Sequence, residues 1–195
     1  MSGPEHDPAE NALPVGDSDS HSIPTRVIIA DVMAVQDLTR RLRAVDYRYG
    51  GGRCHDVVMA ALPAARALLD VPSTEQVRTG LLTAVADLHA LAGWVSFDVG
   101  LLGDAQEQFA HALGLAGEVG DDELIAGVHY RLGRVYLHYN ALSRASAEFE
   151  LGELAAQRCG SALALAILCV NQAWARARMG MRDDTTALVR RADDE

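Results

Sequence analysis

The sequence predicts an all-α protein built as an array of helical hairpins. Three observations carry this. Residues recur at a spacing of forty: Gly93, Gly100, Ala105, Phe109 and Ala112 are answered by Gly133, Asn140, Ala145, Phe149 and Gly152, and more faintly by Ala173, Gly180, Thr185 and Val189. A fixed period with small residues and one large apolar residue at set places marks a stacked helical repeat. Hydrophobic residues make up 49% of the chain but aromatic ones only 5%. Alanine and leucine, both helix formers, therefore carry the apolar content. Finally, no proline follows Pro72, so nothing interrupts the helices from there to the end.

The 195 residues suffice for one domain with its own core. The formal net charge of −10 repels phosphate backbones, so no direct nucleic-acid binding by this chain is expected. Cys54, Cys159 and Cys169 form no CxxC pair and read as the reduced thiols of a cytoplasmic protein. No basic segment leads into an apolar core at the N-terminus, and no uninterrupted apolar run reaches about 18 residues. Neither a signal peptide nor a membrane partner is expected.

Residues 1–26 read as a disordered N-terminal tail and 27–195 as the helical-repeat domain. The tail holds Pro4, Pro8, Pro14 and Pro24 among Asp, Ser, Glu and Asn, too little apolar surface to offset chain entropy. A first helix is expected from Val27 to Tyr49, with Asp31 as its cap. Val32, Val35, Leu38, Leu42 and Val45 form its stripe, and Arg40, Arg41, Arg43 and Arg48 a basic face. The run Gly50-Gly51-Gly52 stops it; with no GK[ST] after it and no strand before it, it is a turn and not a phosphate loop. A second helix, Arg53 to Asp70, contains Pro63, which should kink or split it. Ser73 or Thr74 caps the third, with Gln76 placed for a capping box behind Ser73. That helix runs from about Thr74 to Val99, and five more follow. They are expected at Leu102–Val119, from a cap at Asp121 or Asp122 to Tyr139, at Leu142–Cys159 with Gly160 closing it, at Ser161–Met179, and from Arg182 to Ala192.

The repeat pattern has physical reasons. Ala105, Phe109 and Ala112 stand at i, i+4 and i+7, one stripe of a helix, and Ala145, Phe149 and Gly152 repeat it. The phenylalanine fills the space between the helices of a hairpin. Gly93 and Gly133 let the facing helix approach. Gly100 and Asn140, tolerant of left-handed backbone, mark the turns inside the hairpins.

These residues resemble the tetratricopeptide repeat (TPR), whose pattern is W-x2-L-G-x2-Y followed by A-x3-F. Leu132-Gly133-x2-Tyr136 and Ala145-x3-Phe149 match it, with His129 in place of the tryptophan; Gly93 and Ala105-x3-Phe109 match in the preceding repeat. The resemblance covers residues 74–192, at a period of forty where about 34 is usual. It implies a TPR-like right-handed superhelix of about eight antiparallel helices. The runs Asp37–Gly52, Leu88–Leu102 and Gly133–His138 are similar to the repeat domain of actinobacterial helix-turn-helix transcriptional regulators. In those proteins a DNA-binding domain precedes the repeats, which are thought to sense a signal or partner. Here the expected tail stands in that place.

In such an array the first helix of each hairpin lines a concave face. The period then gives three rows: Ala90, Trp94, Asp98; Tyr130, Arg134, His138; and Val170, Trp174, Arg178. Each row keeps the spacing i, i+4, i+8, one helix face. Across the rows stand two columns, Trp94/Arg134/Trp174 and Asp98/His138/Arg178. Helices in packed layers lie about 8–10 Å apart, so long side chains in a column can meet. An arginine between two indoles can stack on them or hold an anion within aromatic walls. The candidate binding residues are Trp94, Asp98, Tyr130, Arg134, His138, Asn171, Trp174 and Arg178. His89, His129 and Cys169 share one repeat position, but without a local HxxxH or CxxC pair they read as packing residues, and no metal or cofactor is expected.

Two classes of function compete. The first is a regulatory module that binds a peptide, protein or small molecule in its concave face, as the regulator resemblance implies, with no catalytic residue of its own. The alternative is an enzyme or ligand-processing protein of a biosynthetic pathway, using Asp98 and His138 as an acid–base pair. The short last helix also invites a homodimer through the C-terminal repeat, since repeat arrays need covered ends.

Overall fold

The computed structural model describes residues 25–194, and these are all-helical, with no strand among them. Eight α-helices follow in order: α1 (Ile29–Tyr49), α2 (His55–Ala67), α3 (Glu75–Asp98), α4 (Leu102–Val119), α5 (Asp122–His138), α6 (Leu142–Cys159), α7 (Ala162–Arg178) and α8 (Arg182–Asp194). Most of the expected tail, residues 1–24, lies outside the described residues.

The helix ends follow from local chemistry. Thr74 accepts from the Val77 amide at 3.4 Å, Asp121 from Leu124 at 3.0 Å and Ser161 from Ala164 at 3.3 Å. These are side-chain caps that satisfy otherwise orphaned donors. Of the alternatives left open, Thr74 and Asp121 are the N-caps. Because Thr74 takes the cap, the third helical residue is Val77, and the box of Ser73 with Gln76 does not form. Helix α1 starts at Ile29, two residues later than expected. Asp31 acts from its third position, reaching back to the Ile28 amide at 2.8 Å. Pro63 does not split α2, which runs through it; the helix tightens into a 3-10 turn only at Leu68–Asp70.

The turns show a period finer than the sequence suggested. Gly100, Gly120, Asn140, Gly160 and Gly180 all have positive φ, between 58° and 84°. They stand twenty residues apart, one at each helix end from α3 to α7. Behind each, the next amide returns to the carbonyl five residues back, as Leu101 does to Ser96 and Ala141 to Tyr136, both at 2.9 Å. This Schellman closure needs a left-handed residue, and Asn140 is the one non-glycine among the described residues that supplies it.

Helices α3 and α4, α5 and α6, and α7 and α8 pack as hairpins, while α1 and α2 both lean on α3. Phe109 and Phe149 are fully buried, each contributing roughly 1.5–3 kcal/mol. A Cβ built on Gly93 would lie 2.8 Å from the Phe109 ring, and one on Gly133 would lie closer still to Phe149. The glycines are what let each ring in. Helix α3 has the length and apolar content of a membrane span, but 72% of that stretch is buried by its neighbours, the position of a central core helix.

Alternate helices run in the same direction. At one end of α1 the Val27 amide meets the Pro72 carbonyl; at the other the Gly51 amide meets Asp98. So α1 runs parallel to α3, and α3, through the α4 return, parallel to α5. Three parallel helices standing side by side frame the site.

Candidate binding recess

Helices α1, α3 and α5 enclose an open recess of about 350 Å³. From α1 come Arg43, Asp46 and Tyr47; from α3, Leu91, Trp94 and Asp98; from α5, Tyr130, Arg131 and Arg134. Four of the candidate residues, Trp94, Asp98, Tyr130 and Arg134, are thus brought together. Arg134 donates at long range to the Tyr130 hydroxyl (3.4 Å) and the Asn171 side-chain carbonyl (3.5 Å), and its guanidinium lies 5.6 Å from the centre of the Trp174 ring. Asn171 and Trp174 therefore act on the recess through Arg134. Trp94 packs on Phe97 at 5.4 Å, and among the described residues the indole that the arginine covers is that of Trp174.

The second column takes up separate tasks. Asp98 accepts from the Gly51 amide at 3.2 Å. The His138 ring meets Phe97 edge-on at 5.3 Å. Arg178 donates to the Leu137 carbonyl (2.9 Å) and to the Asn140 side chain (2.8 Å), holding the end of α5. Among the described residues no hydrogen bond joins Asp98 to His138.

The triple glycine does more than end α1. A Cβ on Gly51 would lie 2.8 Å from the Asp98 Cβ, so the bare backbone is what lets the turn reach that carboxylate. Arg43 pairs with Asp87 at 2.6 Å. Arg131 has a neutral partner, the Gly127 carbonyl at 2.9 Å. Burial and then Arg43 hold its guanidinium below its usual range, though it stays cationic. Burial first, and Asp98 second, push the Asp46 carboxyl above its ordinary range, against the pull of Arg43 and Arg131.

Arg43, Asp46, Tyr47, Leu91 and Arg131 were not among the candidates, although the period contained a signal for two of them. Leu91, Arg131 and Asn171 share one repeat position, the column beside the one chosen. Asp46 and Tyr47 lie before the repeats begin, where no period points at them.

The histidine position is a packing position inside each hairpin. His89 Nδ1 meets Gln108 Oε1 and His129 Nδ1 meets Glu148 Oε2, both at 2.8 Å across nineteen residues. Cys169 Sγ lies 3.5 Å from a Glu153 carboxylate oxygen. No cluster of three metal-ligating side chains occurs among the described residues.

Compared with known protein families, curated proteins and solved structures, the chain finds no match.

One consequence follows for stability. Asp46 has a folded pKa above the 3.8 of the unfolded chain, so its ionisation opposes folding and stability falls as pH rises through the raised value. Asp46→Asn is expected to melt higher than the parent at pH 7, and the gap should close below pH 3.8. A variant that melts lower at pH 7 would show that the ionised carboxylate supports the fold.

Proposed function

We propose that this chain is a regulatory ligand-binding module and that the recess between α1, α3 and α5 is its ligand site. The observation that carries the reading is a set of charged and aromatic side chains gathered in one recess, where the fold gives the charges neutral partners and does not pair them with one another. Besides Arg43, which pairs with Asp87, two guanidiniums, Arg131 and Arg134, share it with two carboxylates, Asp46 and Asp98. No ion pair among the described residues joins one set to the other. Charges held apart in a partly dry site are costly to folding and useful to binding.

Hairpins repeating every forty residues, with glycine–phenylalanine packing in each, support a TPR-like right-handed superhelix whose concave side is this recess. Together with the resemblance in Asp37–Gly52 and Leu88–Leu102, that favours the sensing part of a helix-turn-helix regulator. The acid–base alternative draws less support, because Asp98 is engaged with the Gly51 amide and the His138 ring packs on Phe97.

The test begins with the native protein. Small molecules and peptides that co-purify with it are identified by mass spectrometry and returned to the stripped protein in calorimetry. Trp94→Ala and Arg134→Ala should keep the helical circular dichroism and lose at least tenfold in affinity. Undiminished binding by both folded variants would move the site elsewhere.

A further inference from the structure

We propose that the recess takes a zwitterion of dipeptide size, with its carboxylate at Arg131 and Arg134 and its ammonium at Asp98. The body of the ligand lies along Trp94 and Tyr130. This rests on the binding reading above and names the ligand class.

The charges are arranged as a dipole. By the forty-residue register, Arg131 and Arg134 stand level with Leu91 and Trp94 on the neighbouring helix. Asp98 stands four to seven residues further along the same helix, roughly 6–10 Å towards its C-terminus. Asp46 stands nearer the middle: α1 meets α3 through Arg43 with Asp87 and through Gly51 with Asp98, which sets Asp46 between those levels, and its carboxyl feels Arg43 and Arg131 as well as Asp98. The parallel α1, α3 and α5 all end near the level of Asp98, and helix C-termini carry partial negative charge. Arg131 and Arg134 outweigh Asp46 at the middle of the recess, which is net positive there and negative at the end that Asp98 holds.

That polarity selects the ligand. A lone anion that reached the arginines would face Asp46 and Asp98. A polyphosphate would meet the same carboxylates with more charge, and a metal ion would meet three guanidiniums. A zwitterion satisfies both ends at once. Its charges must be several ångströms apart, which the α-ammonium and α-carboxylate of a single amino acid cannot provide. Two residues of extended chain span about 7 Å, which fits the separation once the side chains lean inward. Trp94 and Tyr130 supply flat apolar surface between the charged ends, and about 350 Å³ is room for such a molecule.

The pairing of Arg43 with Asp87 at 2.6 Å shows that this lining makes close ion pairs where folding uses them. Arg131 and Arg134 instead hold neutral partners, Gly127, Tyr130 and Asn171. Their guanidiniums keep donors for a carboxylate, which they can engage in pairs.

The experiment uses the whole chain and calorimetry with a panel of dipeptides containing Phe, Tyr, Trp or Leu. Each is offered with free ends, N-acetylated, and as the C-terminal amide. At least one free-ended dipeptide should bind, and capping either end should weaken it tenfold or more. Asp98→Asn should reproduce the loss on acetylation and be insensitive to further acetylation. Arg134→Met should do the same for amidation. Both side chains are solvent-accessible, and circular dichroism checks that the variants fold. Equal affinity for capped and free forms overturns the proposal, as does silence from the whole panel. If the panel is silent while a co-purifying molecule binds and is lost in Trp94→Ala, the dipole fails and the binding site stands. If both are silent, the binding reading fails as well.

Discussion

Phe149→Ala is expected to remove about 3–5 kcal/mol of stability, among the largest losses any single truncation in this chain should produce. The ring is fully buried between α5 and α6, and its loss opens a cavity that backbone-limited helices cannot collapse. The partner of that ring is the absence of a side chain at Gly133. Gly133→Ala should cost about 1–3 kcal/mol in the parent, although alanine is the better helix residue by about 1 kcal/mol. In the Phe149→Ala background the sign should reverse. The new methyl then enters vacated space, and helix propensity acts unopposed. Urea denaturation of the four proteins gives the coupling directly. An equal cost of Gly133→Ala in both backgrounds would show that the methyl meets something other than the ring. Gly93 and Phe109, where the built Cβ stands 2.8 Å from the ring, should behave in the same way but more mildly.

That pair also shows how much of the fold was legible. The glycine, the two small residues and the phenylalanine repeat at forty, and each has one packing reason, so the pattern in the sequence is the pattern of the core. Helix order and most helix ends follow from the same regularity. Errors fell where two local rules competed. Asp31 has the chemistry of a cap and does cap, but from inside the helix, because a carboxylate reaches back three residues as readily as it holds its own position. Pro63 removes one backbone bond from α2. Packing of Val58, Leu62 and Ala65 into the core beneath α1 and α3 holds the helix through it.

The recess was legible by halves. Position in the repeat placed Trp94, Asp98, Tyr130 and Arg134 on one face, because that face is set by periodicity. It could not say that Asp98 turns to the Gly51 amide or that Arg178 reaches the end of α5. Those choices depend on what lies opposite, and what lies opposite comes partly from α1. Helix α1 stands outside the period, so Asp46 and Tyr47 carried no signal of their own. Arg131 did carry one, at the same repeat position as Asn171, but an arginine beside a tyrosine on an exposed-looking helix reads as solvated surface. Only the neighbouring α1 encloses it.

The second large effect is on acid stability. His89 is buried in the first hairpin, its Nδ1 held by Gln108. Its Nε2 is shut from solvent with no partner, and the His111 ring centre lies 5.1 Å away. Burial first holds its pKa down, from 6.5 to about 4, over the opposing bond to Gln108 and with further lowering from His111 and Arg66. A proton on Nε2 would arrive where nothing accepts it and where two cation-forming neighbours stand close. The folded state therefore keeps His89 neutral while the unfolded chain takes up a proton below pH 6.5. Stability from this residue is complete above pH 6.5 and is lost as pH falls towards 4, by about 3 kcal/mol at one unit per 1.36 kcal/mol. Denaturation midpoints measured across that window should fall accordingly, and His89→Phe should flatten the fall. The ring Cε1 proton, followed by NMR, should titrate near pH 4; titration of that resonance near 6.5 would mean that the hairpin opens to water at His89 and that this core is looser than its packing implies.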